Sequence, residues 1–217
     1  MGNAVVHFEV GAADDGPLVA FYVETDDLQA MLDKANSLGG ATVMPVTDFG
    51  GAVTIAMFND PDGLLVGLVR APAEPSGGDQ PAPSAGSGAP VTWFEVMGSD
   101  AARTQQFYAD LFGWTVDTSG IPEYATVDTG AGRGIQGGLG GGEQSRWATV
   151  YAKVPDVDHA LSHAEKLGGS RISDPGVPAL KSAARAALYG PADDGMKTAA
   201  FRDPAGNVFG IFHRTDR

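Results

Sequence analysis

The sequence predicts an α+β protein built from repeated β-α-β-β-β units, one of them incomplete. Three observations carry this expectation. Apolar residues recur with one spacing in two places, Leu28, Met31, Leu32, Ala35 and Leu38, then Val157, Ala160, Leu161, Ala164 and Leu167. The offsets i, i+3, i+4, i+7 and i+10 mark one apolar face of an α-helix. Each helix follows a strand-like run with an acidic start behind it. Ala20-Phe21-Tyr22-Val23 leads into Asp26-Asp27-Leu28, and Thr149-Val150-Tyr151-Ala152 into Pro155-Asp156-Val157. Each helix is also followed by two strands around a matching turn, Asp60-Pro61-Asp62-Gly63 or Asp203-Pro204-Ala205-Gly206. In those turns Pro pre-sets one dihedral and Gly accepts a positive φ.

Taken in order, the first element is a strand at Ala4 to Val10, whose AVVHFEV mirrors VTWFEV at Val91 to Val96. The helix and three strands expected after it are missing, since the chain runs from Gly11-Ala12 directly to Ala13-Asp14-Asp15-Gly16. A complete unit then spans about Leu18–Arg70, its helix closed by Gly39-Gly40, a pair suited to a left-handed cap. Ala71 to Pro90 contains no Leu, Ile, Val, Phe, Tyr or Trp. It reads as a flexible linker bridging on the order of 25 Å. The next unit, about Val91–Gly140, has a helix capped by Ser99 or Asp100, with Phe107, Tyr108, Leu111 and Phe112 on its buried side and Gly113 as its stop. The last, about Arg146–Arg214, closes its helix on Gly168-Gly169 and carries an insertion at Leu180–Gly195. The domain reading is therefore 1–70 incomplete, 71–90 linker, and 91–217 complete.

Composition narrows the function classes. Lys plus Arg total 14 against 27 Asp plus Glu, a formal charge of -13. That field repels phosphate backbones and anionic membrane surfaces, so neither nucleic acid nor membrane is an expected partner. The cysteine count is zero, which excludes disulfides, thiolate metal sites and a cysteine nucleophile. No run approaches the roughly 18 apolar residues of a membrane span, and a cytoplasmic protein is the expectation. The 31 glycines follow no three-residue period, so they predict tight turns rather than a collagen-like chain.

Trp93-Phe94-Glu95-Val96, Phe107-Tyr108, Leu111-Phe112-Gly113-Trp114 and Gly134-Ile135-Gln136-Gly137-Gly138 stand in an order that resembles the vicinal oxygen chelate superfamily. So do the Asp-Asp-Leu and Pro-Asp-Val helix starts and both Asp-Pro-x-Gly turns. That superfamily contains glyoxalases, bleomycin-resistance proteins and extradiol dioxygenases. The likeness is nearest to tandem glyoxalase-like proteins of actinobacterial type, some labelled hydroxylases. It implies curved mixed sheets in which two units enclose a U-shaped cavity. It also implies four divalent-metal positions, which fall here on Trp93, Thr149, Gly210 and a place near Gln136 or Gly138; the N-terminal half offers His7, Ala20 and Gly67. None of the C-terminal positions is a His or a carboxylate, whereas a hard divalent ion needs several oxygen or imidazole ligands. No bound metal and no cofactor are therefore expected.

Residues two apart on a strand share a face. If Trp93 faces the cavity, so do Glu95 and Met97; Thr149 brings Tyr151, and Gly210 brings Val208 and Phe212. The expected ligand-binding set is Trp93, Met97, Thr149, Tyr151, Val208 and Phe212, with Glu95 as candidate general base and room for a ligand ring over Gly210. His7, Glu9 and Tyr22 are the N-terminal counterparts. Glu95 could equally be an end-of-strand carboxylate paired to an Arg or an amide, and the tyrosines core aromatics. His159 and His163, spaced i, i+4, lack the adjacent Glu of a metalloprotease helix. Gly137 to Gly142 reads as a mobile loop, a candidate lid.

Three functions follow. The first is a metal-independent binder of a small hydrophobic or aromatic metabolite or antibiotic in the C-terminal cavity. The second is a cofactor-independent lyase, isomerase or hydroxylase-like enzyme with Glu95 as base. The third is a metal-dependent glyoxalase or dioxygenase with unrecognised ligands. Because Leu18–Arg70 lacks its usual partner unit, it is expected to pair with the same unit of a second chain in a homodimer.

Overall fold

The computed structural model describes residues 2–13, 16–70, 88–143, 146–176 and 196–214. Most of the linker and the whole of the 180–195 insertion lie outside the described residues. The N-terminal region contains β1 (Val5–Ala13), β2 (Gly16–Thr25), α1 (Leu28–Ser37), β3 (Ala41–Asp48), β4 (Thr54–Asn59) and β5 (Leu65–Arg70). The C-terminal region begins with β6 (Val91–Gly98), α2 (Ala101–Phe112), β7 (Thr115–Ile121), β8 (Tyr124–Asp128) and β9 (Gln136–Gly141). It continues through β10 (Trp147–Lys153), α3 (Val157–Lys166), β11 (Ser170–Gly176), β12 (Lys197–Arg202) and β13 (Val208–His213).

All three helices start alike. Asp27, Asp100 and Asp156 are extended N-caps whose carboxylates accept from the amides of Ala30, Arg103 and His159. At the other ends Gly39, Gly113 and Gly168 take positive φ, as the glycine punctuation predicts. Leu167 departs from its expected place on the apolar stripe. It is 67% exposed, whereas its counterpart Leu38, likewise the C-cap of its helix, packs against the core.

The strands form two sheets, β1-β2-β5-β4-β3 and β11-β12-β13-β10-β6-β9-β8-β7. In each complete unit the first strand pairs in parallel with the last: β2 with β5, β6 with β9, β10 with β13. The two C-terminal units join through antiparallel β6 and β10, with Glu95 opposite Thr149 and Trp93 opposite Tyr151. The pairing of β1 with β2 repeats that junction, with Glu9 opposite Ala20 and His7 opposite Tyr22. The lone strand thus takes the place of β6 in a sheet that lacks the rest of its unit.

One core joins the two regions. Phe21 stacks on Phe94 at 5.4 Å, Phe58 meets Phe107 at 6.3 Å, and Tyr108 lies over Trp114 at 6.1 Å. Polar clasps surround it: Tyr108 donates to Asp60 Oδ2 at 3.0 Å and the Lys34 ammonium to the Leu111 carbonyl at 3.0 Å. Asp62 accepts from the Ser99 hydroxyl at 2.6 Å and from the Arg103 guanidinium. The helix-bearing face of the N-terminal unit, left without an intramolecular partner by the sequence, is therefore buried within the same chain. An uncovered apolar face is no longer the reason to expect a second copy.

Candidate functional site

Alternation along β6 sends Phe94 and Val96 into the core and Trp93, Glu95 and Met97 to the opposite face. On β10, Ala148 and Val150 pack on the core, leaving Thr149 and Tyr151 beside Glu95. Glu95 is buried at 7% exposure, and both of its oxygens are taken. Tyr124 donates to Oε1 at 2.7 Å and Tyr151 to Oε2 at 2.8 Å. Tyr124 in turn accepts from the Trp93 indole at 3.2 Å. Desolvation raises the proton affinity of Glu95 above the ordinary carboxylate range, and the tyrosine and Trp93 hydrogen bonds partly oppose this.

Glycines make the cluster possible. A Cβ at Gly210 would lie 2.5 Å from Cγ of Tyr151, and one at Gly138 would lie 2.9 Å from Cε1 of Tyr124. The rings of Tyr151 and Tyr124 occupy the space that side chains at Gly210 and Gly138 would fill. The room expected over Gly210 for a ligand ring is thus filled by Tyr151 itself. The glycine run expected to be a mobile loop is largely strand β9, with Gly137 to Gly140 buried. Its glycines serve close packing, with Phe94 against Gly137 and Met97 against Gly140.

The other expected residues divide. Trp93, Met97 and Tyr151 are half-buried beside Glu95, and Phe212 lies half-buried on β13, opposite Lys153. Thr149 is fully engaged, donating to the Val208 carbonyl at 2.6 Å, so its hydroxyl braces β10 against β13. Val208 lines a separate cleft near the start of β10. Tyr124, at the start of β8, is a member of the cluster that the sequence analysis did not name. Period-two alternation with core residues Ala125 and Val127 was the signal that could have found it.

The N-terminal counterpart is partial. Tyr22 donates to Glu9 Oε2 at 2.6 Å and lies over Gly67, with the His7 ring 5.5 Å away. Burial and the neighbouring carboxylate raise the Tyr22 phenol. Here Glu9 is exposed, and no second tyrosine closes on it among the described residues. His159 and His163 stack at 6.4 Å on the exposed side of α3.

The donor set does not suit the divalent metal that the fold implies. Its four family positions carry an indole, a hydroxyl committed to a carbonyl, and two glycines or a Gln. Among the described residues no three His, Cys, Asp or Glu side chains converge to hold an ion. One carboxylate clasped by two phenols is a hydrogen-bond hub rather than a ligand cage.

Paired β-α-β-β-β units around this face define a glyoxalase-type fold. The sequence profile of the glyoxalase-like domain matches residues 93–212, just over half of the chain. The chain belongs to that family and, with it, to the vicinal oxygen chelate superfamily. It is 27% identical over 159 residues to the anthracycline biosynthesis protein DnrV of Streptomyces peucetius, covering 71% of this chain and 56% of that one. It is 25% identical over 206 residues to the putative glyoxylase CFP32 of Mycobacterium bovis, covering 90% and 69%. The chain thus spans little more than half the length of DnrV. The Mn(II)-bound glyoxalase from Novosphingobium aromaticivorans has the same fold at a TM-score of 0.60, with 15% identity over 99% of this chain and 72% of that one. No helix among the described residues is long and apolar enough to cross a membrane.

Proposed function

We infer that the chain binds a small aromatic molecule on the face formed by Trp93, Met97, Tyr151 and Phe212, without a metal. The observation that carries this reading is the saturation of Glu95. With a tyrosine on each oxygen, the carboxylate orients two phenol rings beside the half-buried indole of Trp93, which is the aromatic surface offered to a ligand. A mainly apolar surface with a few fixed polar groups suits an aromatic ligand. The name of DnrV makes an anthracycline the first probe. Fluorescence titration with daunorubicin is expected to show saturable binding to the wild type and about tenfold weaker binding to Trp93→Ala, a loss in keeping with base-sized aromatic stacking. No saturable binding across daunorubicin and a panel of smaller aromatics would refute the reading.

The raised proton affinity of Glu95 favours a second reading, in which it acts as a general base in a cofactor-independent isomerisation, elimination or hydroxylase-like reaction. Glu95→Gln separates the two. A variant that keeps ligand affinity but loses a wild-type turnover supports the base; absence of turnover in the wild type supports the binder.

A further inference from the structure

A cleft of about 300 Å³ opens where the two regions meet, and none of its lining residues belongs to the Glu95 cluster. It lies between the equivalent turns of the two repeats, at Gly63–Leu65 and Gly206–Val208, with the start of β2 and the start of β10 as its other walls. Its volume stands at the lower end of the roughly 300–1,000 Å³ typical of small-molecule sites.

The chemistry of this cleft runs against that of the whole chain. The protein carries -13 formal charges, yet the lining contains Arg146 and Arg202 and no acidic residue. Among the described residues neither arginine forms an ion pair within 4 Å, and Asp62, the carboxylate whose charge reaches Arg146, is already held by Ser99 and Arg103. The Arg202 guanidinium is aimed along the turn by its bond to the Gly206 carbonyl at 3.2 Å. Asn207, 2% exposed, holds the walls together: its side chain accepts from the Leu18 amide at 2.8 Å and donates to Asp203 at 2.9 Å. Half-buried Trp147 adds an aromatic surface.

We propose that this cleft is a second binding site, for a small planar aromatic carboxylate. The two guanidiniums hold the carboxylate, which matches their fork geometry, and Trp147 meets the ring. Two arginines and no carboxylate line the cleft itself, so the charge of the ligand decides its choice of site.

Isothermal titration of the whole chain with 2-naphthoate tests this against 2-naphthalenemethanol, its uncharged analogue, and against inorganic phosphate. The expected result is one site for 2-naphthoate, about tenfold weaker in Arg146→Gln and in Arg202→Gln, in keeping with the loss of a hydrogen bond to a charged group. Glu95→Gln is expected to leave this affinity unchanged, which separates this site from the aromatic face. Circular dichroism checks that the arginine variants, altered at exposed positions, remain folded. Equal affinity in the Arg146→Gln/Arg202→Gln double variant overturns the proposal. So does equal affinity for the uncharged analogue, phosphate binding as tightly as 2-naphthoate, or binding lost in Trp93→Ala instead.

Discussion

Replacing Gly210 by Ala tests the hub directly. The added Cβ would lie 2.5 Å from Cγ of Tyr151, with the ring edge nearer still. Carbon atoms pack at about 3.5–4.0 Å, so the ring must retreat by roughly 1 Å or more. It cannot do so and keep its hydroxyl 2.8 Å from Glu95. Overpacking costs about 1–3 kcal/mol. Loss of a hydrogen bond to a buried charged group costs about 1.5–3 kcal/mol. Because the ring escapes part of the clash by giving up the bond, the expected total is about 3 kcal/mol, a large share of the roughly 5–15 kcal/mol of a typical fold. Urea denaturation followed by tryptophan fluorescence at pH 7 measures it, and the aromatic probe should bind more weakly in the same variant. A double-mutant cycle with Tyr151→Ala supplies the control, since removing the ring removes the clash and Gly210→Ala should then cost little. Additive costs in that cycle, or a single-variant cost within about 0.5 kcal/mol of zero, as at an ordinary surface position, would refute the argument.

Glu95 titrates above the 4.5 of an unperturbed Glu, so the folded state holds its proton more tightly than the unfolded state does. Its contribution to stability is therefore fully present below 4.5 and is lost as pH rises through the folded value. The stability difference between wild type and Glu95→Gln should shift toward wild type as pH falls from 7 to 5, read from urea midpoints; a flat difference would count against an ionised, buried Glu95. Tyr108→Phe leaves buried Asp60 without its phenol donor and should cost about 1–3 kcal/mol in the same assay. Self-association is now proposed through the outer edge of β1, which among the described residues meets only the Val5–Ile135 bridge on that side. Light scattering at micromolar concentration should report twice the chain mass, and a monomer would count against it.

Much of the candidate site was legible because strands impose a period of two. Trp93, Glu95 and Met97 share a face by spacing alone, and Tyr151 follows once Thr149 is aligned with Trp93 by its distance from the helix cap. Alternation with Ala125 and Val127 places Tyr124 on the face opposite the core, but its contact with Glu95 was not legible: it reaches across β9, through the opening that Gly138 leaves, and that depends on strand order. The glycines of β9 were misread for a related reason. In sequence a glycine run signals a loop, while here the missing Cβ atoms of Gly137 and Gly138 admit the rings of Phe94 and Tyr124, and that of Gly140 admits the Met97 side chain.

The sequence by itself determined the units, their helix caps and turns, and the lack of His or carboxylate at the C-terminal positions that the family resemblance points to, since all of these depend on local dihedrals, spacing and residue chemistry. Only the tertiary structure decided what each face meets. It buried the N-terminal unit against β6 and α2 through Phe21, Phe94 and Tyr108, spent the Thr149 hydroxyl on a carbonyl, and closed two phenols on Glu95. Those outcomes depend on which side chains fill the space left by glycines on adjacent strands, a matter of packing between segments far apart in the chain.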